Sequence, residues 1–175
     1  MQAKPADIII LRGAPGSGKS QTAKSLSQFF PKGARMEVDT IRQMVVSVDW
    51  KNQKEHINML QVSAGLACDF LKRGFSPVIV VDTFSGDKVF GFMERIRHFD
   101  SNITISVFGL FTTDGELERR LALRQNGEFR DVAICKKLNA DVLKIKHETE
   151  LQIDTTGLLP TQTARRIYDS LSLRV

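Results

Sequence analysis

The sequence contains few cysteines: only Cys68 and Cys135 occur in 175 residues, and no CxxC spacing is present. This excludes a zinc cluster and a disulfide framework, and it predicts reduced thiols in a cytosol-like compartment. Proline and glycine are also sparse, with 5 and 12 residues and no repeat of either, which excludes collagen-like and low-complexity classes. The hydrophobic fraction of 42% and the charged fraction of 26% are those of one globular domain.

Long hydrophobic runs are absent as well. The longest uncharged stretch, Ser101 to Thr113, is shorter than the roughly 20 residues that a transmembrane helix needs. The apolar run Ile8–Leu11 near the start is too short for a signal peptide. We therefore expect a cytoplasmic protein without a membrane partner.

Charge of one sign is only mildly in excess, with a net charge of +5. The basic residues are dispersed: the segment Asp114–Lys137 holds six Lys or Arg against five Asp or Glu. A polyanionic partner such as nucleic acid is thus permitted but not required. The simpler interpretation is a solvated surface of mixed charge.

Short apolar runs alternate with helical patterns along the whole chain. The apolar runs predict five strands, at Ile8–Leu11, Arg35–Val38, Val78–Val81, Ile103–Phe111 and Glu148–Ile153. The helical patterns lie at Ser17–Phe30, Thr40–Ser47, Lys51–Lys72, Asp87–Arg97, Asp114–Gln125, Asp131–His147 and Pro160–Leu173. Because fully apolar strands between helices are typical of a parallel sheet buried on both faces, we predict one α/β domain over residues 1–175 with a doubly wound, five-stranded parallel sheet.

The strongest motif is the run Gly13-Ala14-Pro15-Gly16-Ser17-Gly18-Lys19-Ser20, which fits G-x-x-x-x-G-K-[ST] between a predicted strand and a predicted helix. Glycines let backbone N–H groups surround a phosphate, and the helix that follows directs its positive end at the same anion. Lys19 would bind the β- and γ-phosphates, and Ser20 would ligate Mg²⁺. The alternative is a tight turn with an unrelated lysine. The context favours a phosphate-binding loop and hence a nucleotide such as ATP.

A second motif is Val78–Val81 followed by Asp82. A carboxylate at the end of a buried strand would lie beside the phosphate-binding loop and hold Mg²⁺, directly or through water. The alternative is that Asp82 or Thr83 only caps the next helix.

A phosphate-binding loop alone does not separate kinases, GTPases and motor ATPases. The sequence has no N-K-x-D motif, which is the usual reader of guanine, and Thr-Phe-Ser-Gly follows Asp82 in place of a GTPase switch. No second helical domain of an oligomeric motor ATPase is predicted. These observations favour a kinase.

Two further pairs of residues are consistent with a kinase. Asp39 follows the second predicted strand, where a carboxylate can accept the proton of an attacking hydroxyl, and Arg42 lies one helical turn later, where it can hold an anionic acceptor bidentately. The alternative is a helix cap with Arg42 in solvent.

Arg120 and Arg124 share one face of a helix, where an anion such as a phosphoryl group would relieve their repulsion. The alternative is a surface bridge between Glu116 and Arg120.

Four motifs occur in a fixed order, namely Gly13–Ser20, Asp39-x-x-Arg42, Val78–Thr83 and Arg120-x-x-x-Arg124-x-x-Gly127. In this order the chain resembles the kinase domain of bacteriophage-type 5′-polynucleotide kinases. It is also similar to the wider group of small P-loop kinases that includes chloramphenicol phosphotransferase, gluconate kinase and zeta toxins. The resemblance covers about residues 8–153. It implies the nucleoside-monophosphate-kinase type of P-loop fold, with a small helical lid at about residues 114–137.

The resemblance also implies roles for residues and ligands. ATP and Mg²⁺ are the expected cofactors, Asp39 the general base, Arg42 the acceptor clamp, and Arg120 and Arg124 lid arginines, of which Arg124 is expected nearer the transferring phosphate. The turn Asp154-Thr155-Thr156 resembles the turn near the adenine. One departure is Phe84, because the family often has a polar residue at that position.

The expected acceptor is the 5′-hydroxyl of DNA or RNA, held through its neighbouring 3′-phosphate. A small-molecule hydroxyl, on an antibiotic, sugar or nucleoside, is one alternative, and an ATP-binding or ATPase module without acceptor chemistry is another. The lone Trp50 is interpreted as a core residue, with base stacking as its alternative role. The three histidines show no ligand spacing.

Overall fold

The computed structural model describes residues 6–172, in which five strands alternate with seven helices. The strands are Ile8–Arg12 (β1), Ala34–Glu37 (β2), Val78–Asp82 (β3), Ile105–Phe111 (β4) and Leu151–Asp154 (β5). The helices are Lys19–Ser27 (α1), Val38–Arg42 (α2), Gln53–Lys72 (α3), Lys88–Phe99 (α4), Asp114–Ala122 (α5), Val132–Lys144 (α6) and Pro160–Ser172 (α7). Every predicted element is present, but its bounds differ; the largest difference is α2, which was predicted at Thr40–Ser47 and is found at Val38–Arg42. Leu173, the predicted end of the last helix, lies outside the described residues, as do residues 1–5.

The five strands form one sheet in the order β2-β3-β1-β4-β5, and all pairs are parallel. β1 and β3 are buried along their whole length and consist mainly of β-branched residues, which suits a sheet covered on both faces. β1 is the central strand, and its last residue, Arg12, lies beside Asp82 on one side and Gly109 on the other. The parallel strand order confirms the predicted α/β fold. It also places the ends of β1, β2 and β3 together at one edge of the sheet.

The hydrophobic core has a layer on each face of the sheet. On one face, Ile8 and Ile10 pack against α3 and α4, as in the contacts with Leu60 and Met93. On the other face, alternate residues of the same strands pack against α1 and α7. None of the helices within residues 6–172 has both the length and the apolar composition required to cross a bilayer.

The helix α5 ends earlier than predicted. The structure ends it at Ala122, with Leu123 as the capping residue, whereas the sequence predicted a helix up to Gln125. The stop signal at Gly127 belongs to the loop before α6, where this glycine adopts a φ of 92°. Arg124 therefore lies on a loop and not on the helix that carries Arg120.

A buried ion pair links the central strand to the segment before β5. Arg12 is fully buried, and its Nη1 donates to Glu150 Oε2 at 3.1 Å and to the carbonyl of Ile145 at 2.6 Å. Gly109 lies alongside, and a Cβ added there would overlap the Glu150 carboxylate, so the glycine makes room for the pair. The strand that leads into the phosphate-binding loop is thus fixed to the chain that enters β5.

We expect Glu150→Gln to lower the free energy of unfolding by about 3–5 kcal/mol, because removing one charge of a buried pair leaves the Arg12 charge uncompensated. Urea unfolding followed by circular dichroism measures the change. The matched control is Glu118→Gln, since the Glu118 side chain is 51% exposed and pairs with Lys136 on the surface. Its expected loss is at most about 1 kcal/mol. Similar small losses for both variants would contradict the importance of the buried pair.

Candidate active site

The phosphate-binding loop, residues 13–20, joins the buried end of β1 to the first turn of α1. Gly16 and Gly18 adopt φ values of 87° and 92°, which other residues rarely tolerate. Space is tight as well: a Cβ on Gly13 would lie 2.6 Å from the carbonyl oxygen of Leu110, and one on Gly16 would lie 2.9 Å from Leu117 Cδ1. The loop therefore has the tight curl that directs successive backbone N–H groups at an anion, which fits a polyphosphate.

Lys19 lies at the centre of a group of charges. Its Nζ donates to the carbonyl oxygen of Ala14 at 3.2 Å, so the side chain folds back over the loop. Burial lowers the pKa of Lys19, the carboxylates of Asp82 and Asp39 oppose this shift, and Arg124 adds to it. The charge of the lysine predicted to bind phosphate thus interacts with two carboxylates predicted to be catalytic or metal-binding and with the predicted lid arginine.

The oxygen atoms near the loop suit a small divalent cation. Ser20 Oγ donates to Glu37 Oε2 at 3.2 Å, and Asp82 lies buried at the end of the neighbouring strand. Within residues 6–172 no group of three or more His, Cys, Asp or Glu side chains is arranged to hold a metal alone. Mg²⁺ in kinase sites uses one or two protein oxygens together with phosphate oxygens and water, so the donor set fits Mg²⁺ bound with a nucleotide. Glu37 was not singled out from the sequence, although its place at the end of β2 matches that of Asp82 on β3.

Asp39 is the second residue of α2 and follows directly after β2. Among residues 6–172 its carboxylate has no hydrogen-bond or ion-pair partner, and no side chain caps this helix, so the capping alternative does not apply. The residue opens to solvent, yet crowding by protein atoms raises the pKa of Asp39, and the nearby Asp82 carboxylate raises it further. The site thus contains one carboxylate that is free to accept a proton.

Arg42 is not arranged as the bidentate clamp expected from the sequence. It is only 4% exposed: its Nε pairs with Glu55 Oε1 at 3.2 Å, and its Nη2 donates to the carbonyl oxygens of Asp49 at 2.6 Å and Asn52 at 3.2 Å. Two of its three nitrogen atoms are therefore used within the protein. In this arrangement Arg42 fixes the segment between α2 and α3.

Trp50 is not a core residue, so that interpretation was wrong. Its side chain is exposed, with 46% of the residue surface accessible, and the Arg42 guanidinium lies 5.0 Å from the ring centroid. A cation–π contact with a buried arginine holds the ring in place while leaving it partly open to solvent.

Arg120 is bonded to several groups of the protein. Its Nε pairs with Glu116 at 2.7 Å, and its Nη1 donates to Thr155 Oγ1 at 2.9 Å and to the carbonyl oxygen of Ser17 at 3.3 Å. Hydrogen bonds from Arg119 and Arg120 lower the pKa of Glu116 to about 2. The bridge to Glu116, which was the alternative prediction, is thus present, and Arg120 supports the phosphate-binding loop from outside.

Arg124 is less constrained than Arg120. Its Nη1 donates to the carbonyl oxygen of Phe129 at 2.9 Å within the loop between α5 and α6. Because its charge lowers the pKa of Lys19, the two cations lie near each other. Arg124 thus has fewer contacts within residues 6–172 than Arg120, and its role as a lid arginine stays a prediction.

A chain of polar groups that the sequence did not predict extends from the end of β3. His56 Nε2 lies 3.2 Å from both carboxylate oxygens of Asp82, and Lys88 Nζ lies 3.4 Å from His56 Nδ1. Lys88 also donates to Gln53 Oε1 at 2.6 Å and to Ser85 Oγ at 2.9 Å. These residues come from α3, α4 and the loop before α4, and no spacing rule connects them, so the sequence offered no signal for the cluster.

The loop and the fold together define a P-loop protein of the kinase type. A family model described as an AAA domain, AAA_33, matches residues 8–141. Since this match covers most of the chain, the protein belongs to the AAA_33 family. No curated protein matches the sequence significantly.

Solved structures share the fold over nearly the whole chain. The chain is similar to an unliganded sugar kinase from Janibacter sp. HTCC2649, with a TM-score of 0.71 and 15% identity over 97% of this chain and 96% of that one. The APS kinase CysC of Mycobacterium tuberculosis, in complex with AMPPNP and APS, has a TM-score of 0.68 and 16% identity over 96% and 98%. A chain of the Pnkp1/Rnl/Hen1 RNA repair complex has a TM-score of 0.65 and 20% identity over 81% of this chain and 45% of that one. At these identities the likeness establishes the fold.

We expect Gly16→Ala to weaken the binding of a non-hydrolysable ATP analogue by at least tenfold, because a Cβ at this φ would be strained and would contact Leu117. Calorimetric titration measures the affinity. The control is Gly91→Ala in α4, where a Cβ would meet nothing within 4 Å. That variant should keep its affinity and gain up to about 1 kcal/mol of stability from helix propensity. Equal affinities of the two variants would contradict the geometry of the loop.

Proposed function

We propose that the protein is an ATP- and Mg²⁺-dependent phosphotransferase that phosphorylates a hydroxyl group. The observation that carries the proposal is the arrangement of Lys19 and Asp39. The lysine follows β1 and the carboxylate, which has no hydrogen-bond or ion-pair partner within residues 6–172, follows β2 of the same parallel sheet, so both lie at one edge of the sheet, and each contributes to the pKa of the other. One group suits the donor polyphosphate, and the other suits the proton of an acceptor.

In this reaction the backbone N–H groups of Gly16, Gly18, Lys19 and Ser20 and the Lys19 amine bind the polyphosphate and orient it, whereas Pro15 has no N–H and the Ser17 N–H donates to the carbonyl oxygen of Ala14. Asp39 accepts the proton of the acceptor hydroxyl while the hydroxyl oxygen forms its bond to the γ-phosphorus and the bond to the ADP oxygen breaks. Mg²⁺, held by Ser20 and Asp82, would neutralise charge on the phosphate oxygens. Because the transition state needs little covalent help, positioning and electrostatic stabilisation account for most of the catalysis.

Arg124 is the residue that we expect to act on the transferring phosphoryl group. It lies on the loop after α5, whereas Arg120 on the same segment is bonded to the carbonyl oxygen of Ser17. The helix is thus anchored, and the loop that follows it carries a cation that, within residues 6–172, is bonded to a carbonyl oxygen but forms no ion pair. Closing this loop over bound ATP would exclude water and limit wasteful hydrolysis.

A polynucleotide 5′-hydroxyl is the acceptor that we favour. The supporting observation is Trp50, a half-exposed ring held by Arg42 near the acceptor side, because a fixed aromatic surface suits base stacking. The similarity to a chain of an RNA repair complex agrees with this choice.

A small-molecule alcohol is the second candidate, favoured by the dispersed charge of the chain, which is unlike the basic stripe of many nucleic-acid-binding proteins. Transfer from labelled ATP to 5′-hydroxyl oligonucleotides and to small alcohols separates the candidates. For the polynucleotide, affinity should fall steeply with salt because phosphate contacts release counterions. ATP binding with slow hydrolysis and no labelled product from any alcohol would refute both candidates and leave a nucleotide-binding module.

We expect Asp39→Asn to reduce phosphate transfer about 10²- to 10⁴-fold, because the amide cannot accept the hydroxyl proton. The measurement is single-turnover transfer from labelled ATP to the best acceptor. Asp69→Asn is the matched control, since the Asp69 side chain is 66% exposed on α3 and pairs with Lys72; this variant should transfer at the normal rate. Full transfer by Asp39→Asn would remove Asp39 from the mechanism.

A further inference from the structure

Lys88 is a cation that the fold places beside the reaction centre without an anionic partner. Its ammonium contacts Gln53 Oε1, Ser85 Oγ and His56 Nδ1, all of which belong to uncharged groups when the histidine is neutral. Within residues 6–172 no carboxylate lies at ion-pair distance from it. Burial lowers the pKa of Lys88, and the approach of an anion would stabilise its charged form.

The position of Lys88 makes this arrangement unusual. It is the first residue of α4, where the helix dipole disfavours a positive charge. A partly buried ammonium normally has a charged partner, because desolvation without compensation is costly. The carboxylate of Asp82 does not provide one directly, since His56 lies between the two groups and the Phe84 amide also donates to Asp82 at 2.8 Å. Asp82 and Asp87 partly oppose the effect of burial on the pKa of Lys88, but among residues 6–172 neither carboxylate forms an ion pair with its ammonium.

Lys88 is connected to the proposed base by this same chain of groups. Its N–H donates to His56 Nδ1, so that Nε2 carries the ring proton and donates to Asp82. Asp39 comes just after β2 and Asp82 ends the neighbouring strand β3, so Asp39 and the cluster lie at one edge of the sheet; His56 and Asp82 both contribute to the pKa of Asp39. An acceptor whose hydroxyl lies at Asp39 would therefore lie at the same edge of the sheet as the Asp82–His56–Lys88 chain.

We propose that Lys88 binds an anionic group of the acceptor, so that the preferred substrate is an alcohol carrying a phosphate or carboxylate near its reactive hydroxyl. This inference rests on the proposed function and assigns to Lys88 the anion contact that the sequence assigned to Arg42. Arg42 already uses two nitrogen atoms within the protein, whereas the partners of Lys88 are side chains that an anionic oxygen can replace. Phosphate and carboxylate share the relevant chemistry, a negatively charged oxygen that accepts from an ammonium.

The test compares charged and neutral members of two acceptor pairs, thymidine 3′-monophosphate with thymidine and gluconate with glucose. Binding is measured by calorimetry with the full chain saturated with Mg²⁺ and a non-hydrolysable ATP analogue, so the readout does not need activity. We expect the charged member of at least one pair to bind about 10- to 100-fold more tightly, the effect of one charge-assisted hydrogen bond. The pair that shows the preference tells whether the anion is phosphate or carboxylate.

Lys88→Gln should remove this preference, and Lys88→Arg should retain most of it. The matched control is Lys72→Gln, because Lys72 is 67% exposed at the far end of α3; it should keep the full preference. Affinity for the ATP analogue, measured separately on each variant, reports whether the fold and the phosphate-binding loop survive the substitution. With labelled ATP, the ratio of kcat/KM for charged over neutral acceptors should fall about 10- to 100-fold in Lys88→Gln.

Several results would overturn the assignment. One is equal binding of charged and neutral acceptors by the natural chain, and another is an undiminished preference in Lys88→Gln. A preference lost in Arg42→Gln but kept in Lys88→Gln would assign the anion to Arg42, and weaker binding of the ATP analogue by Lys88→Gln would assign Lys88 to the nucleotide. A preference in binding without transfer to any alcohol would support the Lys88 assignment while refuting the proposed function.

Discussion

The site depends on one constraint, the tight curl of the backbone between β1 and α1. Left-handed conformations at Gly16 and Gly18 make the curl possible, but they do not hold it. It is held from outside, because the carbonyl oxygen of Ser17 accepts from Thr155 Oγ1 at 3.0 Å and from Arg120 Nη1 at 3.3 Å. The Ser17 N–H is itself used within the loop, since it donates to the carbonyl oxygen of Ala14 at 3.1 Å. The other N–H groups of the loop suit a phosphate. Two segments that are far apart in sequence, α5 and the turn before α7, therefore meet at the loop.

The proposed acceptor side, formed by Asp39, Arg42 and Lys88, contains polar groups of a different kind. Only some of their charges are paired within the protein. Arg42 is bonded to a carboxylate and two carbonyl oxygens and so is part of the framework. Asp39 has no partner among the described residues, and Lys88 has only neutral ones. Opposite charges that fold into one site without pairing with each other are expensive to maintain, and a bound substrate offers both of them partners. Under the proposed function, an acceptor that brings a hydroxyl to Asp39 and an anionic group to Lys88 would relieve this electrostatic cost.

The predictable parts of the molecule were those encoded by local pattern. The apolar runs of β1 and β3, the glycine spacing of the loop and the place of Asp39 after β2 each follow from a few neighbouring residues. The partners of the polar side chains were not predictable in this way: His56 meets Asp82 across 26 residues of sequence, and nothing in the pattern around either residue indicates the contact. The predicted burial of Trp50 was wrong for a related reason. A tryptophan is usually a core residue, and only the contact of its ring with Arg42 explains why the ring is held in place while exposed.

The two faces of the sheet explain why proteins of this fold accept different substrates. α1 and α7 pack on one face, and the loop that follows β1 takes its shape from them and from α5, so the phosphate-donor side is constrained by the core itself. The acceptor side lies above the other face, where α2, α3 and the start of α4 contribute side chains from surface positions and loops. Substitutions there change charge without disturbing the sheet. A sugar kinase and an APS kinase thus share this fold although they are only 15% and 16% identical to this chain. The architecture therefore does not indicate the acceptor, and residues such as Lys88 and Trp50 are the ones that bear on it.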